Sequence, residues 1–200
     1  MILLISIVVG LPIAYLRARL GGRTLSSPRL RYLGLVPLAF LPQWLAFYFY
    51  VTRMRIPDTW IPSILVISQL LLLIFAWLNR HQPGFWALGL GLGLNLLVIA
   101  LNDGWMPISP STLQRLYLTV SPDTWRIGSR LGTSKDMILP QATTRLWWLS
   151  DCLVLPAWVP YRVAFSVGDV FIALGAFLLM WSLGKTPPTF CRETATGLSD

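Results

Sequence analysis

The chain has 200 residues, of which 55% are hydrophobic and only 12% are charged. Its mean hydropathy is +0.64. Soluble globular domains carry about 25% charged residues, and disordered chains are poor in apolar residues and rich in charge, so the composition excludes both classes. The composition predicts an integral membrane protein.

The net charge of +8 does not indicate nucleic-acid binding. Five of the sixteen basic residues lie in one short stretch between two apolar segments: Arg17, Arg19, Arg23, Arg29 and Arg31. This pattern is typical of a cytoplasmic loop that follows the positive-inside rule and contacts anionic lipid headgroups. Two cysteines and one histidine provide no zinc-binding spacing. We therefore expect the lipid bilayer as a partner, no nucleic acid and no cofactor.

Five apolar runs predict an all-α bundle of about five transmembrane helices. The runs cover residues 1–16, 33–51, 61–78, 84–101 and 165–183. An 18-residue helix is about 27 Å long, which is close to the thickness of a bilayer's hydrocarbon core. No positive residue precedes the first run, so we interpret it as a retained anchor rather than a cleaved signal peptide.

These runs divide the chain into four parts. Residues 1–101 are predicted to form a four-span bundle, residues 102–164 an extracytoplasmic cap, residues 165–184 the fifth span and residues 185–200 a cytoplasmic tail. The arginine-rich first loop places the N-terminus outside and the C-terminus inside the bacterial cytoplasmic membrane.

The predicted cap is too long for a structureless loop. Ser109-Pro110 and Ser121-Pro122 each combine a capping residue with a proline suited to a first helical turn, so both indicate helix starts. Residues 145–156 are rich in tryptophan and too short to span a bilayer. We interpret them as a re-entrant or interfacial segment that brings Asp151 toward the membrane.

Small and polar residues predict contacts between the spans. Gly89 and Gly93 have the GxxxG spacing, which permits close packing within the chain or against other membrane subunits. Asn95 is expected to form hydrogen bonds between helices. Asn102 and Gly104 belong to an Asn-Asp-Gly sequence that is typical of a turn ending the fourth span.

Acidic residues are scarce, and two of them are candidates for chemistry. Asp169 lies inside the fifth run and Asp151 lies in the interfacial segment. Two facing carboxyl groups could share a proton and activate water. Alternatively, Asp169 forms a structural ion pair with Arg145 or Arg162. Asp136, next to Lys135 and near Arg130, is interpreted as part of a solvated surface cluster.

The sequence Phe-Ser-Val-Gly-Asp-Val-Phe-Ile-Ala-Leu-Gly at 165–175 resembles the last span of lipoprotein signal peptidases. In that family the corresponding aspartate is catalytic, and Asp151 is positioned like the second catalytic aspartate. The resemblance implies an aspartyl endopeptidase with both groups near the outer membrane face. That family has four spans, however, whereas this chain is predicted to have five.

The whole chain also resembles a family of bacterial multi-pass membrane proteins of unknown function. The resemblance is carried by Asn-Asp-Gly-Trp-Met-Pro at 102–107, Thr-Arg-Leu-Trp-Trp-Leu-Ser-Asp at 144–151 and Phe-Ser-Val-Gly-Asp at 165–169. It implies a multi-pass membrane topology. The first hypothesis is a non-catalytic accessory or structural subunit of a membrane complex. The alternative is a membrane-embedded aspartyl peptidase-like enzyme that uses Asp151 and Asp169.

Overall fold

The architecture is given by a computed structural model that describes residues 2–21, 28–53, 55–118, 124–132, 134–156, 158–159 and 161–183. Some predictions fall outside these ranges. They concern Arg23 in the first loop, the helix start at Ser121-Pro122 and the C-terminal tail.

The fold is mostly helical, with the apolar runs forming the long helices. The helices are α1 (Ile2–Leu20), α2 (Leu35–Phe47), α3 (Tyr50–Arg53), α4 (Ile61–Leu78), α5 (Phe85–Leu101), α6 (Pro110–Leu116) and α7 (Val167–Ser182). Within the described ranges, 3₁₀ turns cover Asp58–Trp60 and Trp147–Leu149. The first of these turns leads directly into α4, which has Pro62 in its first turn, where no intrahelical N–H bond is lost.

The predicted count of five spans is not confirmed. Within the described ranges, one helical run, Asp58–Leu78, is long and apolar enough to cross a membrane. The apolar helices α2, α5 and α7 have 13, 17 and 16 residues. These helices are shorter than the apolar runs because helix breaks and caps lie inside the runs. The second run breaks between α2 and α3, and the side chain of Ser166 caps α7 at its start.

The long helices pack as a row of neighbours. Helix α7 lies against α1 and α5, and α4 lies against α5 and α2. The Arg17 guanidinium, in the last turn of α1, donates a hydrogen bond to the Trp181 carbonyl in the last turn of α7. The C-terminal ends of these two helices therefore meet at one end of the bundle.

Closely approaching glycines join α5 to α7, but they are not the predicted pair. A Cβ atom on Gly91 would lie 2.4 Å from the Gly168 carbonyl oxygen, so both backbones depend on the missing side chain. A Cβ on Gly89 would touch only Ala76 at 3.6 Å, and one on Gly93 would meet nothing within 4 Å. The predicted packing of Gly93 within the chain is therefore wrong. Gly91 lies two residues from both Gly89 and Gly93. Two residues correspond to a rotation of about 200° around a helix, so Gly91 lies on the face of α5 opposite to these two glycines.

Among the described residues, the mostly helical fold also contains four short strands, which the sequence analysis did not predict. Strand β1 (Met106–Ile108) pairs in parallel with β2 (Asp136–Ile138), and β3 (Leu153–Val154) pairs antiparallel with β4 (Ala164–Phe165). Three-residue strands separated by about thirty residues leave no alternating pattern for a sequence reading to detect. Strand β3 and the turn Trp147–Leu149 together occupy much of the segment that was predicted to be re-entrant or interfacial.

The predicted helix start at Ser109 is confirmed. The Ser109 side chain accepts a hydrogen bond from the Thr112 backbone N–H at 3.1 Å, and α6 follows. Leu113 and Leu116 are buried on its inner face. With β1 and β2 they form a small core of the cap, since Ile108 and Ile138 pack in the same cluster.

A second apolar cluster joins the cap to the bundle. It contains Ile61 and Leu65 of α4, Ile99 of α5, Met106 of β1 and Leu149 of the second 3₁₀ turn. Because Leu149 is anchored here, the chain immediately after it is held at the end of the bundle. That position places Asp151 above the start of α7.

Candidate functional site

Asp169 lies in the first turn of α7, closer to the helix end than its place in the apolar run suggested. The Ser166 side chain accepts a hydrogen bond from the Asp169 backbone N–H at 3.0 Å. In return, Asp169 Oδ2 accepts from the Ser166 backbone N–H at 3.2 Å. This reciprocal arrangement is a capping box, and the positive end of the helix dipole favours the carboxylate there.

Asn95 of α5 connects this helix start to the neighbouring helix. Its Nδ2 donates to Asp169 Oδ1 at 3.0 Å, and its Oδ1 accepts from Ser166 Oγ at 2.8 Å. A Cβ atom on Gly168 would lie 2.1 Å from Asn95 Oδ1, so only glycine leaves room for the amide. The predicted interhelical role of Asn95 is confirmed.

Asp151 is almost completely buried, with 3% of its surface exposed. Its backbone N–H donates to the Pro107 carbonyl at 3.3 Å, which attaches it to β1. Its Oδ2 accepts from Lys135 Nζ at 2.6 Å. Within the described part of the chain, its Oδ1 is buried without a hydrogen-bond partner.

Lys135 links Asp151 to a third acid. Its Nζ also donates to Asp136 Oδ1 at 3.1 Å. The Asp136 side chain is 15% exposed and the Lys135 side chain 38%, so the prediction of a solvated surface cluster is wrong. The missed feature is that the lysine reaches inward to a buried carboxyl group.

Asp169 lies near enough for its charge to act on Lys135 and Asp151, although its own hydrogen bonds go to Asn95 and Ser166. We call Lys135, Asp136, Asp151 and Asp169 the aspartate–lysine cluster. Its members come from the edge of β2, the segment after the second 3₁₀ turn, and α7. The cluster therefore joins the cap to the helix bundle.

The cluster contains three carboxyl groups and one amine, and this imbalance governs its protonation. Burial raises the pKa of Asp151 to about 8, with the charges of Asp136 and Asp169 acting in the same direction and Lys135 opposing them. Burial by itself would lower the pKa of Lys135, but the neighbouring carboxylates raise it above its ordinary value. The amine thus stays charged, and burial together with the neighbouring carboxylates makes Asp151 easier to protonate than an exposed aspartate.

The two arginines considered as partners of Asp169 lie elsewhere in the described structure. The Arg145 side chain is exposed. The Arg162 guanidinium donates to the Arg115 backbone carbonyl at 3.3 Å. The basic group near Asp169 is Lys135.

Asn102 fixes the approach to Asp151 through the backbone. Its Nδ2 donates to the carbonyls of Val98 at 2.8 Å and Arg145 at 3.0 Å, and its Oδ1 accepts from the Arg145 N–H at 3.0 Å. The side chain thus ends α5 and holds the chain that leads to the second 3₁₀ turn. Gly104 has a φ of +81°, and a Cβ there would lie 2.3 Å from the Cβ of Pro62.

Two residues of the site were missed in the sequence. Ser166 was detectable, because Ser-Val-Gly-Asp at 166–169 has the capping-box spacing. Lys135 gave no local signal, since its contact with Asp151 depends on the pairing of β1 with β2. Among the described residues, no group of three or more His, Cys, Asp or Glu side chains is placed to hold a metal ion.

Comparison with known proteins agrees with one of the two resemblances. Residues 28–181 match the model of a family of unknown function, DUF5317. The chain belongs to the DUF5317 family. All four residues of the aspartate–lysine cluster and all of α2 to α6 fall inside the matched region. The comparisons do not show the resemblance to lipoprotein signal peptidases.

One relative of this DUF5317 chain is a protein of Thermotoga maritima that carries the name "Uncharacterized protein". It is 27% identical over 124 residues, which cover 60% of this chain and 63% of the relative. The match thus spans less than two thirds of the relative's own length. No solved structure matches the chain.

Proposed function

We propose that this DUF5317 protein is a multi-pass protein of the bacterial cytoplasmic membrane that acts as a non-catalytic accessory subunit. The supporting observation for the membrane is the surface of α4. The helix contains no charged residue, yet only 28% of its most apolar window is buried. Ile67 is 57% exposed and Ile74 is 49% exposed. The core helix of a soluble protein would cover these side chains, whereas lipid solvates them.

The other long helices have the same apolar exterior. Exposed large apolar side chains on α1, α2, α5 and α7 include Val8, Leu16, Leu38, Phe40, Leu90, Leu97, Val170 and Leu174. Helices of 13 to 17 residues are about 20 to 26 Å long, which is shorter than an average hydrocarbon core. Bilayer thinning and flanking aromatic residues accommodate such a mismatch. Trp60 and Trp86 are exposed at opposite ends of the α4–α5 pair, as interfacial residues would be.

The non-catalytic role is supported by the position of the Lys135 amine. An aspartyl dyad works by sharing one proton between two carboxyl groups that activate a water molecule. Here the amine contacts Asp151 Oδ2 at 2.6 Å, and the other oxygen of Asp151 is buried. The cluster is therefore suited to fastening the cap onto the bundle, with Asp169 and Asn95 as its attachment to α7 and α5.

The peptidase-like alternative keeps one specific observation in its favour. Asp151 and Asp169 act on each other electrostatically, and the raised pKa of Asp151 is a property that a general acid requires. In this alternative, Lys135 would have to release Asp151 Oδ2 when substrate binds.

Two measurements test the proposal. After alkaline washing of membranes, we expect the protein to remain in the pellet, and release into the supernatant would overturn the membrane location. For the role of the cluster, the parent protein and Asp169→Asn are compared in a lipoprotein-cleavage assay and by thermal unfolding. We expect no cleavage by either, and lower stability for Asp169→Asn. Cleavage by the parent that Asp169→Asn abolishes at unchanged stability would establish the peptidase instead.

A further inference from the structure

A groove of about 500 Å³ runs along the outer surface between α4 and α5, at the end away from the cap. Its walls are almost entirely apolar and include Ile74, Trp77, Trp86 and Leu90. The rings of Trp77 and Trp86 meet edge to face, with centroids 6.1 Å apart. The groove thus begins at an aromatic pair and continues between two uncharged helices.

Gly89 forms the floor of the groove. Without a side chain at this position, the surface between the helices stays open, and the nearest atom to an added Cβ would be the Ala76 side chain at 3.6 Å. A transmembrane helix with its side chains is about 10 to 12 Å wide, so a space of about 500 Å³ would take only a small part of one. A single hydrocarbon chain is the shape that fits.

The mouth of the groove is basic. Arg80 lines it, with its guanidinium carbon 4.7 Å from the centre of the Trp77 ring. One guanidinium N–H donates to the Trp77 carbonyl at 3.2 Å. A guanidinium has five N–H donors in a planar fork that matches phosphate oxygens. The ring and the backbone carbonyl of Trp77 therefore hold the Arg80 guanidinium in position, and other N–H groups of the guanidinium remain able to donate to a ligand.

Arg29 and Arg31 lie beside the turn at 79–84 that joins α4 to α5, because their backbone groups form hydrogen bonds with side chains of this turn. Asn79 donates to the Arg31 carbonyl at 3.0 Å and accepts from the Arg31 N–H at 2.7 Å. Gln82 donates to the Arg29 carbonyl at 3.3 Å. Both arginine side chains are exposed, and no acidic residue occurs in 28–34 or 79–84. The turn that carries Arg80 therefore lies beside a basic segment without acidic residues.

We infer that the groove between α4 and α5 binds an anionic phospholipid, with one acyl chain over Gly89 and the phosphate at Arg80. This inference rests on the proposed membrane location. An apolar channel lined at one end by Arg80 is complementary to a lipid with an uncharged tail and a negative headgroup. A zwitterionic phospholipid has the same tail but a neutral headgroup, so it matches only the apolar half of the site.

The test uses the full-length protein in vesicles of mixed phosphatidylglycerol and phosphatidylcholine. After extraction in detergent and washing, the phospholipid that remains bound is identified and counted by mass spectrometry. We expect the parent to retain phosphatidylglycerol in preference to phosphatidylcholine. Arg80→Gln should lower the retained phosphatidylglycerol at least fivefold. Gly89→Leu, which fills the groove, should lower the retention of both lipids by a similar factor.

Two matched variants serve as controls. Gly93→Leu places the same side chain on the same helix, where nothing lies within 4 Å of the new Cβ. Arg19→Gln removes the same charge from an exposed position near the end of α1, outside the groove. Both should retain phosphatidylglycerol like the parent, and thermal unfolding should show that all four variants are folded.

Three results would overturn the inference. Equal retention by Arg80→Gln, Gly89→Leu and the parent would show that the groove holds no lipid. Equal retention of the two lipids by the parent would show that the arginines recognise no headgroup charge. After either of these two results, the proposed membrane location would still hold if the protein remained in the membranes during the alkaline wash. Release by the alkaline wash would overturn that location and this inference together.

Discussion

Replacing Lys135 by methionine tests whether the lysine holds the aspartate–lysine cluster together. The substitution keeps much of the side-chain length and removes the amine that lies 2.6 Å from Asp151 and 3.1 Å from Asp136. Asp136 and Asp151 then lose the cation that both of them contact. We expect the protein to fold but to unfold at a lower temperature.

The size of the effect follows from the burial of the two partners. Removing one member of a fully buried ion pair costs about 3–5 kcal/mol. The Lys135 side chain is 38% exposed and Asp151 can take up a proton, so water and protonation recover part of this energy. We expect a loss of about 2 kcal/mol in the free energy of unfolding, which is intermediate between an exposed and a buried pair. For a chain of this size, that corresponds to a decrease in Tm of about 4–8 °C.

The assay is thermal unfolding of the detergent-purified protein, monitored by tryptophan fluorescence. Arg145→Met is the matched control, because it removes one positive charge from an exposed side chain of the cap. The control should change the free energy of unfolding by no more than about 0.5 kcal/mol. If Lys135→Met and Arg145→Met unfold at the parent's temperature, the lysine does not stabilise the cluster and our reasoning is refuted.

Three further predictions concern the same framework. Because the pKa of Asp151 is raised to about 8 in the fold from 3.8, the proton it holds stabilises the fold at low pH. The free energy of unfolding should therefore decrease as the pH rises from 4 to 8. A series of Tm measurements over this range should show a smaller decrease for Asp151→Asn than for the parent. Equal decreases for the two proteins would contradict the role of Asp151 in this pH dependence. Gly168→Ala, whose Cβ would lie 2.1 Å from the amide oxygen of Asn95, should cost at least about 2 kcal/mol by overpacking, whereas Gly93→Ala should gain about 0.5–1 kcal/mol in helix propensity. Similar effects of the two alanines on thermal unfolding would disprove the packing of α5 on α7. Asn102→Ala removes three hydrogen bonds to backbone groups and should cost about 2–3 kcal/mol, so a denaturation midpoint equal to that of the parent would refute its role.

The sequence predicted the helical parts of the fold because each long helix is a continuous apolar run. Helix α4 has the predicted bounds, and Ser109 caps α6 as expected. The strands could not be predicted, because each is two or three residues long and its partner is distant in the chain. The glycine spacing does not locate the α5–α7 contact, for another reason. The GxxxG spacing identifies one face of a helix, but the partner helix α7 packs on the opposite face, where Gly91 meets Gly168.

The sequence singles out two acids of the cluster and misses its base. Asp151 and Asp169 are candidates because carboxylates are rare in an apolar chain, and the charge of Asp169 acts on Asp151. Lys135 sits next to Asp136 in a polar stretch, where such neighbours are usually solvated. Only the pairing of β1 with β2 turns this stretch inward. Long-range strand pairing therefore determined the part of the site that no local motif encodes.

In the proposed membrane topology, the cap and the turn between α4 and α5 lie on opposite sides of a bilayer. Single cysteines are introduced by Gln141→Cys in the cap and His81→Cys in the turn, both exposed positions, after Cys152 and Cys191 are replaced by serine. The Cys191 position lies outside the described residues. A membrane-impermeant thiol reagent is then applied to intact cells. We predict that it labels the protein with Gln141→Cys and reaches His81→Cys only after the cells are permeabilised. Labelling of both positions in intact cells, or of the turn alone, would contradict the proposed membrane topology.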